Sequence, residues 1–491
     1  MLYQRYFNQG RLIEFMKENK RELNKVLNTG DVLVTAFGAM IGWGWVVSSG
    51  GWIEASGALG TALGFIIGGI MIYFVGMVYA ELTTAIPETG GPKVFSAKAF
   101  GPNVSFVCSW AMFFSYIGVV CFEACSLPTI IQYIFPEFLK GYLYTVAGFD
   151  IYATWLIVAV IATALITGIN ILGVKAAATL QKILTITIAT VGIILVAVSA
   201  VKGNFNNLAG QLIAGSDGVS VIKNIMSIAV VAPFFLFGFD VIPQAAEEIN
   251  VPLKKVGKLL VFSIILAVAF YALVVFAIGY GLNSEGIEKS MSSTGLVAAD
   301  TMAKLFNSAV MAKVLIIGGM CGIITSWNSF LMGGSRVLFS MAESNMVPKR
   351  FAVLHSKYRT PVTSLLLIGA LSIVSLFCGR VMLVWISDVA SFACCFSYCI
   401  VALSFLKLRK IAPNMSRPFK IKSARFVGIM AILMSGLMCV LYIIPNSGCT
   451  FTVQEWVIGI VWIVLGLVFA IVCKTKYKDN FGKTTKRCQN D

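Results

Sequence analysis

The sequence predicts an all-α polytopic membrane protein of 12 transmembrane helices, and three observations predict it. Apolar residues make up 58% of the 491-residue chain, charged residues only 12%, and the apolar residues fall in long runs separated by short loops. A soluble protein carries about 25% charged residues; with no polar block longer than a loop, soluble domains are excluded. Twelve apolar runs come near or above the roughly 20 residues that cross the hydrocarbon. They are 29–51, 59–85, 104–135, 151–172, 180–200, 221–246, 256–282, 309–341, 361–378, 381–407, 426–444 and 453–473.

The net charge of +16 is placed rather than spread. With the N-terminus inside, seven of the 38 Lys and Arg lie on the outer side (Lys140, Lys202, Lys223, Lys289, Lys304, Lys313 and Arg380) and 31 lie inside. That is the positive-inside asymmetry. The basic excess faces anionic membrane lipid rather than nucleic acid, and it predicts a multi-pass protein of the cell membrane with both termini cytoplasmic.

Residues 1–28 are basic and amphipathic, without the apolar core and cleavage site of a signal peptide. They read as a cytoplasmic N-terminal segment lying along the inner membrane surface. The first span holds Gly38-Ala39-Met40-Ile41-Gly42-Trp43-Gly44. Each glycine in a helix interior costs about 1 kcal/mol relative to alanine, so this stretch predicts a break. Breaks at membrane depth persist only where they are buried in protein or line a watery cavity. There the second half-helix offers N–H groups to an anion and the first offers carbonyls to a cation. Gly60, Gly64 and Gly68 in the second span are spaced instead as a helix-packing face.

The sixth span carries Phe234-Phe235-Leu236-Phe237-Gly238-Phe239-Asp240, a second breaker inside an apolar run. Paired interruptions in the two halves of a transporter point to its binding site.

Of the twelve cysteines, Cys108, Cys121, Cys125, Cys321, Cys394, Cys395, Cys399 and Cys439 lie within spans as small apolar residues. Cys449 is the clear outer-loop candidate, so no disulfide is expected. The single histidine, His355, sits in a basic inner loop. The spans contain no His cluster, no Cys/His pair and no nucleophile beside a base. No enzyme, catalytic residue, metal or cofactor is expected.

Several motifs follow one another in a recognisable order. After the first break come Glu81-Leu82, Pro87 and Gly90-Gly91. Glu247-Glu248-Ile249-Asn250 and Pro252 follow the sixth span. Gly334-Ser335-Arg336-Val337-Leu338-Phe339 runs on to Pro348-Lys349 and Thr360-Pro361, and Arg417-Pro418-Phe419-Lys420 follows the tenth span. Over residues 24–475 the chain resembles the amino acid–polyamine–organocation (APC) superfamily of permeases. The resemblance implies a five-plus-five inverted repeat with helices 1 and 6 broken. The repeats would be 29–200 and 221–408, followed by two appended helices in 426–473 and a basic cytoplasmic tail, 474–491.

It also implies a substrate site. The carboxylate of an amino acid would sit on the N–H groups of Gly42, Trp43 and Gly44. Its amino group would face carbonyls of Gly38, Ala39 and Met40, next to Ile41, and those around Phe234, with Phe237, Gly238 and Asp240 completing the site. Trp43 departs from the family, which usually has a small hydroxyl residue or glycine there; the indole would reshape the cavity. Phe234 stands where the family has an aromatic that closes over the substrate, or it is ordinary packing.

Asp240 is the acid expected to take a proton or meet a cationic group, the alternative being a hydrogen bond inside the break. A carboxylate at bilayer depth costs about 2.5–3.5 kcal/mol on insertion scales. Glu123 and Asp388 lie in the outer halves of their spans, where they line a vestibule or pair with polar groups; Glu123 is a candidate for coupling. Tyr116 and Trp327 read as packing residues, and Glu81, Glu247 and Glu248 as solvated ion pairs.

Proton-coupled relatives often carry a lysine in span 5 where this chain has Ile188, and Lys182 lies only at the inner border. Thr325, Ser326 and Ser329 are hydroxyls that sodium would need, but such residues commonly bond back to their own helix. The expected function is secondary active transport of amino acids by alternating access, through proton symport or exchange. A polyamine or amino-alcohol permease is the alternative substrate class, and a non-transporting sensor or channel the alternative of another kind.

Overall fold

The computed structural model describes residues 23–379, 381–445 and 450–483. Cys449, Arg380, most of the N-terminal segment and the end of the basic tail lie outside the described residues.

The chain is almost entirely helical. Asn28 caps the first helix, its side chain accepting from Gly30 N–H and Asp31 N–H while Asp31 returns a bond to the Asn28 amide. This helix, α1 (Thr29–Met40), is followed at once by α2 (Gly44–Ser56). The inner-side order continues with α3 (Ala58–Ala85), a short α4 (Pro92–Phe100) and α5 (Pro102–Ile134). β1 (Tyr142–Val146) and β2 (Phe149–Tyr152) form an antiparallel hairpin before α6 (Ala153–Ile171) and α7 (Val174–Lys202).

The second half opens with α8 (Gly218–Phe235) and the short α9 (Val241–Gln244), then α10 (Leu253–Gly281). Two short helices, α11 (Ser284–Ser293) and α12 (Val297–Phe306), precede the long α13 (Ala309–Glu343). The chain ends with α14 (Val362–Leu376), α15 (Val381–Ile411), α16 (Ala424–Ile443) and α17 (Val453–Tyr477).

Among the described residues ten helices are long and apolar enough to cross a membrane, eleven when α1 and α2, bent by 44°, are taken as one span. The expected ninth span, 361–378, is a helix of 15 residues, α14, shorter than the ~20 that cross the hydrocarbon unaided. The first span runs farther outward than expected, to Ser56, and the fourth starts at Ala153 because β2 takes the residues before it.

α3 packs along α8 and α10, α5 along α13 and α15, and α1 against α7, α10 and α13. The glycines of α3 explain its contact with α8. A Cβ on Gly64 would lie 2.6 Å from Ile228 Cβ, and one on Gly68 would lie 2.7 Å from the Ala229 carbonyl oxygen. Glycine allows that approach.

Glu81 and Glu248 differ from the expectation of solvated ion pairs. Glu81, near the C-terminal end of α3, is 1% exposed, and Glu248 is fully buried. Glu81 Oε2 accepts from Arg409 Nη2 at 2.5 Å and from the Ile421 amide at 2.8 Å, and its Oε1 lies 3.1 Å from Arg417 Nε. The loop after α15 folds back over α3 and removes the carboxylate from water. Glu247 is half-buried and accepts from the Thr89 amide at 3.1 Å.

Removing one partner of a buried ion pair leaves the other unpaired, at a cost of about 3–5 kcal/mol. Glu81→Leu strands two arginines and is expected to lower stability by about that much. Thermal unfolding of the detergent-solubilised protein, followed by size-exclusion chromatography, checks this. An unchanged midpoint would mean that the two guanidinium groups reach water without Glu81.

Candidate substrate site

The first span breaks at 41–43. The Ile41 amide still closes onto the Phe37 carbonyl at 3.1 Å, and the first bond of α2 is Val46 N–H to the Trp43 carbonyl at 2.9 Å. The amides of Gly42, Trp43 and Gly44 come before that bond, at the positive end of α2. On the other side of the break the Met40 carbonyl accepts from the Tyr271 hydroxyl at 3.1 Å. Gly38, Ala39 and Met40 belong to the last turn of α1 rather than to the break itself. Gly38 serves close packing: a Cβ there would fall 2.1 Å from Thr185 Oγ1 and 2.7 Å from Gln181 Nε2, both on α7.

The sixth span breaks between Phe235 and Val241, and this break touches the last turn of α1. Gly238 has φ +129°, and a Cβ on it would lie 2.6 Å from Ala39 Cβ and 2.9 Å from the Ala39 carbonyl carbon. Asp240 is fully buried. Its Oδ1 accepts from the Gly238 amide at 3.0 Å and its Oδ2 from the Tyr116 hydroxyl at 2.7 Å. Gln244 Nε2 in turn donates to the Tyr116 oxygen at 3.3 Å. Tyr116, read from sequence as a packing residue, therefore ties α5 to the second break. Its one advance signal was a phenol inside an apolar span, whose hydroxyl needs a partner when buried.

Glu123, on α5, is 5% exposed. Its Oε1 accepts from Ser326 Oγ on α13, and its Oε2 has no hydrogen-bond partner. Both groups face the first break, since a Cβ on Gly42 would lie 3.5 Å from Ser326 Oγ and 3.6 Å from Glu123 Oε1. Gly322 abuts the Gly42 carbonyl, and the Ile188 methyl lies against the same glycine. Position 188 thus reaches the break as a hydrocarbon. Thr325 Oγ1 donates to the Gly322 carbonyl at 2.9 Å, and Ser326 Oγ lies 3.1 Å from that carbonyl, so both hydroxyls also serve their own helix.

Aromatic rings surround the breaks. The Trp43 indole, 5% exposed, occupies the groove left by Gly319 of α13, where a Cβ would stand 2.1 Å from its Cζ3. The bulk of this side chain is thereby absorbed in helix packing. Gly44 leaves room for the Phe235 ring, 2.3 Å from where its Cβ would be. Phe234 is half-buried and meets Phe122, Phe235 and Phe237 edge-on at centroid distances of 6.3, 5.0 and 6.3 Å. Phe237 meets Tyr398 at 5.6 Å.

The structure thus gathers Gly42, Glu123 and Ser326 at one break, and Ala39, Gly238, Asp240 and Tyr116 where the second break meets the last turn of α1. Asp388 is half-buried on α15. His355 shapes its own loop, its Nδ1 accepting from the amides of Lys357 and Tyr358 at 3.1 and 3.2 Å.

A family model described as amino acid permease matches residues 27–470. The chain belongs to this family. The branched-chain amino acid permease BcaP of Bacillus subtilis (strain 168) is 25% identical over 471 residues, covering 93% of this chain and 95% of its own. The aspartate-proton symporter of the same organism is 24% identical over 460 residues, covering 92% and 84%. Its serine/threonine exchanger SteT is 23% identical over 415 residues, covering 84% and 89%. The permease is a multi-pass membrane transporter of amino acids and not an enzyme.

Gly238 combines a positive φ with close contact to backbone. Gly238→Ala puts a side chain at positive φ, a strain of order 1–3 kcal/mol, and drives its Cβ into the Ala39 backbone. Loss of labelled amino acid uptake in proteoliposomes, with a lower melting temperature, is expected. A variant that transports and melts like the parent would show that the two breaks can separate without cost.

Proposed function

We propose that the permease carries a zwitterionic amino acid by alternating access and couples its movement to a proton at Glu123. The observation that carries this reading is the Glu123 carboxylate: buried, beside Gly42, with Oε2 unpartnered. The substrate carboxylate sits on the amides of Gly42, Trp43 and Gly44, and its ammonium group faces the end of α1 at Gly38, Ala39 and Met40. The charges of a zwitterion then match the two half-helix ends sign for sign.

A carboxylate at this depth with one hydroxyl partner holds a proton or meets a cation at far lower cost than it stands bare. Ile188 brings no charge beside Gly42, so the neutralising group comes from solution or from the substrate. Both oxygens of Asp240 already carry a donor, which assigns that carboxylate to closing the second break. Phe234, half-buried and edge-on to Phe122, Phe235 and Phe237, serves as the outer gate. The positive-inside distribution supports the cell membrane, inner-leaflet lipid and cytoplasmic termini. Exchange without a driving ion is the second reading, favoured by the missing lysine at Ile188.

Counterflow in proteoliposomes, with and without a proton gradient, separates these. The parent protein is expected to accumulate zwitterionic amino acids, more strongly with the gradient. Glu123→Gln is expected to lose gradient-driven accumulation by about tenfold or more while amino acid counterflow persists. Asp240→Asn is expected to slow both without changing the pH profile. Gradient-driven accumulation that survives in Glu123→Gln removes Glu123 from coupling, and indifference of the parent protein to the gradient establishes exchange. Accumulation of carboxylate-free amines alone would overturn the anion site at Gly42, Trp43 and Gly44.

A further inference from the structure

The two breaks free the inner halves of spans 1 and 6 from their outer halves, and the chain ties those inner halves to each other. The amides of Val26 and Leu27 donate to the Glu248 carbonyl at 2.9 and 3.0 Å, and the Asn250 amide donates to the Leu27 carbonyl at 2.8 Å. Leu27 and Ile249 form a parallel β-bridge. The segment leading into α1 and the segment leaving α9 are therefore one body on the inner side.

That body is fastened to α13 by charge. Arg336 Nε donates to Glu248 Oε1 at 2.9 Å and Nη2 to Oε2 at 3.3 Å, with side chains 1% and 0% exposed. The third guanidinium nitrogen, Nη1, is held by Ser335 Oγ at 2.8 Å and the Met332 carbonyl at 3.3 Å, so the arginine is fixed in place on α13. Nearby, Ser340 Oγ of α13 donates to the Thr89 carbonyl at 2.9 Å, while the Thr89 amide donates to Glu247. The inner loop is thereby drawn into the same closure.

We propose that the Arg336–Glu248 pair is the inner gate of the transport cycle, a latch that holds the joined inner halves of spans 1 and 6 on α13 and parts when the solute leaves inward. A desolvated, two-pronged ion pair is suited to this. It is strong while dry and loses its advantage once water enters, so it yields two states rather than a gradual opening. The inference holds whichever amino acid is carried and whatever ion drives it.

The test uses the full chain in proteoliposomes, with Ser340→Cys as reporter and a membrane-impermeant thiol reagent on the cytoplasmic side. Site-resolved mass spectrometry separates the reporter from native cysteines. Ser340 is 2% exposed and lies about one turn inward of Arg336. With the latch intact, labelling is expected to be slow. In Arg336→Gln and in Glu248→Gln it is expected to rise about tenfold, as an open state held to roughly a per cent becomes well populated. The swapped pair, Arg336→Glu with Glu248→Arg, is expected to restore protection, a result that a general loosening of the fold does not give.

Protection unchanged in the single variants overturns the proposal, as does a swapped pair labelled as fast as the singles. Where a single variant yields no folded protein, Arg336→Lys carries the test. It keeps the charge and loses the two-pronged grip, so faster labelling than in the parent is expected, and parental labelling overturns the latch. Failure of amino acid counterflow in Glu123→Gln leaves this result untouched, because the labelling needs no substrate.

Discussion

The contact between Ala39 and Gly238 is the constraint from which the rest of the site follows. Two membrane-spanning segments must come within van der Waals contact at their interruptions, and only a residue without Cβ, free to hold φ at +129°, permits it. Once the second break is seated there, the Gly238 amide falls to the Asp240 carboxylate, and that carboxylate turns its other oxygen to Tyr116. Once the first break is seated, the amides of Gly42, Trp43 and Gly44 stand free of the helix ladder beside Glu123 and Ser326. Unsatisfied backbone in hydrocarbon is prohibitive, so the groups that line the breaks are as much a condition of folding as of transport.

The inner face shows the same economy with charge. Motif residues far apart in the chain meet in pairs: Glu81 of the Glu-Leu segment with Arg417 of the Arg-Pro-Phe segment, and Glu248 with Arg336. These pairs are dry, so they add little to net stability over an apolar core, but they are costly to mismatch. Their value lies in register, since each arginine fork has one carboxylate it fits.

Apolar run length located the helices, clustered glycines located the first break and a single breaker inside an apolar run, Gly238, the second, because each leaves its mark on nearby residues. The burial of Glu81 and Glu248 was not legible locally. Inner-border acids near Lys and Arg look alike whether or not a loop from elsewhere folds over them, and here the segment around Arg417 does. Tyr116 and Ser326 were undervalued for the same reason, since what they touch sits on other helices. The β1–β2 hairpin lay hidden at the edge of an expected span, where Ile151 and Tyr152 suit strand and helix equally. Trp43 misled through its bulk, because the space it needs is supplied by Gly319, far off in sequence.

Coupling then reduces to a comparison of free energies at two places. A ligand shifts a conformational equilibrium only by the difference in its affinity for the two states. In the proposed cycle the latch stays shut while the joined segments before α1 and after α9 rest on α13 and Asp240 holds Tyr116. In the proposed cycle a solute whose charges bridge the first break would draw α1 and α2 together, and a proton would neutralise the Glu123 carboxylate, whose Oε2 has no partner. Neither event touches Arg336 or Glu248. In that cycle α1, whose leading segment is bonded to the Glu248 backbone, would carry the strain of closing over the solute to the latch through two backbone amides and a β-bridge. That route is short and fully hydrogen-bonded, which is what a gate needs if filling the site is to be felt at the exit.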